Sequence, residues 1–88
     1  MESLKKKIYS AVDIPKETFL NIPLATIVGN EEIVIENYKA VLDYKPDTIR
    51  INTKIGHVKI SGKNMNIKYI RKDEIFITGI IKNIQYGS

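Results

Sequence analysis

The stretch Val58-Lys59-Ile60-Ser61-Gly62-Lys63-Asn64-Met65-Asn66-Ile67-Lys68-Tyr69 decides the fold. Apolar residues recur at every second position on either side of Gly-Lys-Asn, and a two-residue period is that of a strand with one buried face. The same period extends outward in both directions. Ile33/Ile35 and Ile49/Ile51 precede the stretch and Ile75/Ile77 follows it, with polar or charged residues between most of these pairs. Turn signals separate the runs at Gly29-Asn30, Pro46-Asp47, Gly56, Gly62-Lys63-Asn64 and Lys72-Asp73. The pattern predicts about eight short strands, near 24–29, 32–38, 40–45, 48–54, 57–61, 65–71, 74–79 and 80–86. Connections this short join only antiparallel neighbours, because a parallel pair needs a crossover of a dozen or more residues. The expected architecture is mainly β, an antiparallel meander curving toward a half-barrel. Gly79 interrupts an otherwise apolar run and predicts a bulge or sharp bend between the last two strands.

Upstream of Leu24 the period is helical. Leu4, Ile8, Ala11 and Val12 stand at i, i+4, i+7 and i+8 and form one narrow apolar stripe, with Lys5, Lys6 and Lys7 on the other side. Pro15 breaks the pattern, since the residue before a proline avoids the helical region. It suits the first position of a short second helix over Lys16 to Leu20. The chain thus reads as an N-terminal helical segment, 1–23, and a β-meander, 24–88, together one domain. An isolated helix this short is marginal in water, so the first one is expected to cover an open end or face of the sheet. One internal repeat is visible. Ile60-Ser61-Gly62 with Asn66-Ile67-Lys68-Tyr69 returns seventeen residues later as Ile77-Thr78-Gly79 with Asn83-Ile84-Gln85-Tyr86. Two such units stack naturally in a meander; two rungs of a solenoid are the other reading, although solenoids usually need about three or more repeats.

Eighty-eight residues leave room for one hydrophobic core. Ile occurs 17 times and Leu 4, which again favours strands, because β-branched side chains fit a pleated surface. No apolar run approaches the ~18–20 residues of a membrane-spanning helix, and the N-terminus has no uninterrupted apolar stretch of signal-peptide type. With 0 cysteines there is no disulfide framework, thiolate nucleophile or cysteine-based zinc site, and the expected compartment is the cytoplasm.

Catalytic patterns are nearly absent. His57, the single histidine, falls on a strand's outward face, whereas a metal site wants three or four convergent ligands. Ser61 precedes a glycine but lacks the Gly-x-Ser-x-Gly elbow. Glu31/Glu32 and Asp73/Glu74 are neighbours in sequence, and adjacent strand residues point to opposite faces, so neither pair forms a dyad unaided. The five glycines are singly spaced and make no phosphate cradle. The expectation is a chain that is not an enzyme and carries no cofactor.

The formal net charge of +4 opens two binding readings. Arg50, Lys54, Lys59, Lys68, Arg71 and Lys82, with Tyr38, Tyr44, Tyr69 and Tyr86 as stacking platforms, would suit single-stranded nucleic acid. Alternation opposes this at Tyr69 and Tyr86, which share parity with Ile67 and Ile84 and are expected on the core face. The strand charges read better as a solvated outer face that protects the sheet edges, which disfavours nucleic acid. A small RNA-binding barrel of the Sm-like kind stays the alternative, since Lys39 to Ile51 and Ile75 to Tyr86 loosely match its two motifs. The other reading places Leu4, Lys5, Lys6, Lys7 and Ile8 on an anionic membrane surface. Such a short stripe without Trp or Phe anchors poorly, and docking on the sheet or on a protein partner is the better use of it.

The order of signals from about Ile14 to Tyr86 resembles the YabP/YqfC family of sporulation proteins, most closely its YqfC branch. The resemblance lies in Ile14-Pro15, Leu20-Asn21-Ile22-Pro23, Thr26-Ile27-Val28-Gly29-Asn30, Ile35-Glu36-Asn37-Tyr38-Lys39 and Ile49-Arg50-Ile51. It continues through Gly56, Ile60-Ser61-Gly62 and Glu74-Ile75-Phe76-Ile77-Thr78-Gly79-Ile80-Ile81. Where the family often carries His and Gly beside the Ile-Glu-Asn segment, this chain has Tyr38 and Ala40, so a role tied to that histidine does not carry over. The resemblance implies a small soluble protein of endospore-forming bacteria, in the mother-cell cytoplasm or peripheral at a membrane, with a membrane-bound sporulation protein as partner. Ile35, Glu36, Asn37, Tyr38 and Lys39 are the expected partner-binding segment; the plainer reading is that Asn37 and Lys39 begin a tight turn. Two edge strands left by a meander add self-association as a second expectation.

Overall fold

The computed structural model describes residues 21–87. Six strands follow one another: β1 (Leu24–Val28), β2 (Glu32–Glu36), β3 (Tyr38–Lys45), β4 (Thr48–Thr53), β5 (Gly56–Ile70) and β6 (Glu74–Tyr86). They form one sheet in the order β1-β2-β6-β5-β4-β3, every neighbour antiparallel. The two-residue period therefore reads the class of the fold correctly. The described residues contain no helix, and the helical elements expected at the N-terminus lie outside the described residues.

The strand count differs from expectation: six, where about eight were expected from the alternation. The runs 57–61 and 65–71 are two halves of β5, and 74–79 and 80–86 are two halves of β6. Glycine and Lys-Asn mark bends here, and the ladder passes through them at Gly62↔Ile81 and Lys63↔Ile80. Local sequence does not separate a turn from a bend. Which of the two forms depends on whether a partner strand bends alongside.

The simple meander also gives way. β3 to β6 are consecutive neighbours, but β2 pairs with β6, so the chain crosses from one side of the sheet to the far edge between Glu36 and Tyr38. Asn37 makes that crossing alone, in the left-handed conformation (φ 64°) that asparagine tolerates better than most residues.

Each long strand serves two half-sheets. The first half of β6 pairs with β2 and with the end of β5; its second half pairs with the start of β5, which in turn pairs with β4. The bends are glycines because the two strands touch there. A Cβ on Gly62 would run into the Ile80 carbonyl oxygen, and one on Gly79 (φ 138°) would stand 2.6 Å from Met65 Cα. Each bend is also held by a hairpin turn. Gly62 N and Met65 N donate to Asp47 O (3.1 Å) and Pro46 O (2.8 Å), while Gly79 N and Ile81 N donate to Glu31 O (3.1 Å) and Asn30 O (2.7 Å).

These correspondences give the seventeen-residue repeat its meaning. Shifting both partners by seventeen maps Ile60↔Ile84 onto Ile67↔Ile77 and Ser61↔Asn83 onto Asn66↔Thr78, with Lys63↔Ile80 mapping onto itself. The repeat is a local two-fold relation between β5 and β6. A solenoid would stack parallel rungs, and no pairing here is parallel.

The core lies between the half-sheets. Ile33, Ile35, Ile49, Ile51, Val58, Ile60, Met65, Ile75, Ile77 and Ile81 form one buried cluster, with Ala25, Tyr38, Val41, Ile67 and Ile84 packed against it. Val34, Glu36 and Glu74 have the opposite parity and face away from that cluster, yet they too are buried, at 3%, 7% and 2% exposure.

Candidate functional site

The Asn37 crossover gathers three loops at one place. Asn37 N donates to Asp73 O (2.7 Å), which ties the crossover to the β5–β6 turn. Its side-chain Nδ2 donates to Ile22 O (2.8 Å), which ties it to the chain entering β1. Tyr38 Oη reaches the same β5–β6 turn and donates to Arg71 O (2.8 Å). Between these links lies a cleft of ≈ 390 Å³ lined by Asn21, Asn37, Tyr38, Lys39, Lys54 and Asp73. Asn21 is left-handed as well (φ 66°), so both chain reversals at the cleft use asparagine.

The five residues of the expected binding segment divide by depth. Ile35 is in the core at 1% exposure, and Glu36 is buried at the end of β2. Asn37, Tyr38 and Lys39 line the cleft, and of these Lys39 is exposed. Lys39 has no cross-strand partner, because the register skips from Tyr38↔Thr53 to Ala40↔Asn52 and turns it out of the ladder. The plainer reading is also part of the answer, since Asn37 is the entire connection between β2 and β3. Leu4, Lys5, Lys6, Lys7 and Ile8, expected to dock a partner or a membrane, lie outside the described residues.

Lys54 and Asp73 were not legible as companions of this segment: Lys54 was read only among the scattered basic residues, and Asp73 only beside Glu74. They come from the β4–β5 and β5–β6 turns, 15 and 34 residues beyond Lys39, and only the tertiary fold brings them beside it. The β4–β5 turn that presents Lys54 is closed by local hydrogen bonds. Thr53 Oγ1 donates to Gly56 O (2.7 Å) and accepts from Ile55 N (3.2 Å), satisfying the turn from inside.

Next in the chain to Asn37 and Asp73, two carboxylates stand opposite each other, Glu36 in β2 and Glu74 in β6. Tyr69 Oη donates to Glu74 Oε2 at 2.5 Å, and Arg71 Nη1 lies 4.0 Å from the same oxygen. The Arg71 guanidinium sits 4.4 Å from the centre of the Tyr69 ring, a cation–π distance. Tyr69 was expected on the core face with Ile67. An extra residue, Lys68, shifts the register between Ile67↔Ile77 and Tyr69↔Phe76, and puts Tyr69 beside Phe76 on the other face, ring centres 5.4 Å apart. Tyr86, opposite Val58, keeps the core-side parity but is 61% exposed at the sheet's end.

The cleft brings two lysines, two asparagine side chains and one aspartate together, which suits hydrogen-bonding and charge recognition of a polar or anionic segment. Among the described residues, no group of three or more His, Asp or Glu side chains converges as a metal site would require.

The model of the YabP family matches residues 23–88, the whole sheet and most of the cleft. The chain belongs to the YabP family. The chain is also similar to a YqfC protein: a Bacillus subtilis (strain 168) protein named "Uncharacterized protein YqfC" is 35% identical over 83 residues, 94% of this chain and 89% of that one. The family match starts at Pro23, so the six-stranded sheet is the part of this chain that the YabP family model describes.

Proposed function

We propose that this YabP-family chain is a non-enzymatic sporulation protein that works by binding other proteins, as the soluble partner of a membrane-bound sporulation protein in the mother cell. The observation that carries the reading is the crossover cleft, where Asn37, Tyr38 and Lys39 meet Lys54 and Asp73 from two other loops. Loops held on a rigid sheet are where recognition is usually built. The sheet edges add a second kind of contact. Among the described residues, β1 is a short outer strand paired on one side alone, with Ile27 and Val28 half exposed, and an edge of this kind can pair with another chain. Among the described residues, no helix is long and apolar enough to cross a membrane, so on this reading the membrane is reached through the partner.

The test is affinity capture of the tagged full chain from detergent-solubilised sporulating cells, with a nuclease-treated sample in parallel. A membrane protein co-eluting in near-stoichiometric amount, whatever the nuclease does, is the expected result. RNA recovered without a protein partner would overturn the reading and favour a small RNA-binding barrel, whose affinity should fall steeply with salt. Deleting residues 1–12 tests the N-terminal segment separately. If it docks the partner, the fold survives and capture is lost; unfolding on deletion makes the segment part of the core instead.

A further inference from the structure

The outer face of β3 to β6 carries one row of polar residues: Asp43↔Arg50, Arg50↔Lys59 and Lys59↔Gln85. Arg50 and Lys59 are therefore like charges directly opposite each other, an arrangement that destabilises a sheet. Asp43 answers one of them, its Oδ2 accepting from Arg50 Nη1 at 3.0 Å, while Lys59 makes no ion pair among the described residues. Beside this pair, on the same face, His57 stands opposite Asn52, and its Nδ1 is buried with no hydrogen-bond partner among the described residues. A buried polar atom is costly to leave unmatched. Arg50, His57 and Lys59 line one cavity of ≈ 180 Å³ together with Gln85, Tyr86 and Gly87. Gly87 N donates to His57 O at 2.9 Å and holds the end of β6 against it.

We propose that this cavity binds a single phosphate group. An anion there sets a negative charge between Arg50 and Lys59, and takes a hydrogen bond from His57 Nδ1 in the state that carries a proton on that nitrogen. Guanidinium, ammonium, imidazole and amide donors arriving from three strands suit a group with several oxygens, and guanidinium is well matched to phosphate. The cavity is smaller than the ~300–1,000 Å³ of sites for drug-sized ligands, which limits the occupant to one such group. The site is separate from the crossover cleft and does not depend on the partner-binding reading.

Because the chain has 1 histidine, its imidazole resonances report the site without ambiguity. The full chain is titrated with inorganic phosphate at constant ionic strength, with chloride as the balancing anion. The expected result is a saturable shift of the His57 signals, weakened several-fold in Lys59→Gln, whose exposed side chain leaves the fold unchanged. Glycerol phosphate in the same titration tells an ester from the free ion, and saturation by either supports the site. A non-saturating response to both, an affinity unchanged by Lys59→Gln, or equal saturation by acetate would overturn it.

Discussion

Gly62 and Gly79 do the work that no larger residue can do at the crossing of β5 and β6. At Gly79 the backbone is left-handed (φ 138°) and a Cβ would meet Asn64 O at 2.8 Å, so both conformation and space select glycine. Gly79→Ala is expected to cost about 1–3 kcal/mol from backbone strain alone, read as a lower midpoint in chemical denaturation; an unchanged midpoint would mean the bend is not tight. Ile77, two residues earlier and fully buried, should lose about 2–5 kcal/mol as Ile77→Ala through the cavity left behind. Ile55 is apolar too but 60% exposed in the β4–β5 turn, and Ile55→Ala should stay within about 0.5 kcal/mol. The contrast matters because residue type alone does not separate the two isoleucines; their burial in the fold does. Asn37 can be tested by conformation: Asn37→Gly keeps the left-handed crossover and loses the bond to Ile22 O, whereas Asn37→Val loses both and should be the less stable of the two.

At the scale of elements, the two edges of the sheet are built differently. β3 carries two register shifts, at Lys39 and Leu42, and bulges of this kind discourage edge-to-edge pairing. β1 pairs with β2 in unbroken register over five residues and has no such protection. If the chain self-associates, β1 is the expected seam, and Val28→Lys should abolish concentration-dependent association in sedimentation while Leu42→Lys should not. Amide exchange should show the same order of elements. β5 and β6 each have a partner on both sides along much of their length and should exchange slowest, with β1 and the bulged part of β3 fastest. Alternation made nearly all these strands legible, because a half-buried strand must repeat every two residues. The bulges at Lys39, Leu42 and Lys68 were not legible: each is one extra residue in one strand, and the extra residue is defined only against the partner. That is why Tyr69 was expected on the wrong face.

For the whole molecule, one core spans both half-sheets, so the described part should unfold as a unit, with β1–β2 and β3–β4 lost together. Coincident transitions by far-ultraviolet dichroism and by tyrosine fluorescence would support this; separate transitions would mean that the half-sheets are independent. At the crossover cleft, reversing both rim charges with Lys39→Glu and Lys54→Glu should abolish partner capture while the unfolding midpoint stays within about 0.5 kcal/mol of the parent, since both side chains are exposed. Capture that survives the double reversal would move the contact surface to the β1 edge. The sequence by itself determined the strand class, the antiparallel pairing and the YabP-family order of signals, because alternation and short turns are local constraints that each segment states alone. Only the tertiary structure decided that two pairs of expected strands are bent single strands, that β2 crosses to pair with β6, and that Lys54 and Asp73 join Asn37, Tyr38 and Lys39. Those outcomes depend on which strand bends beside which, and bending is a property of a pair of chain segments packed against each other.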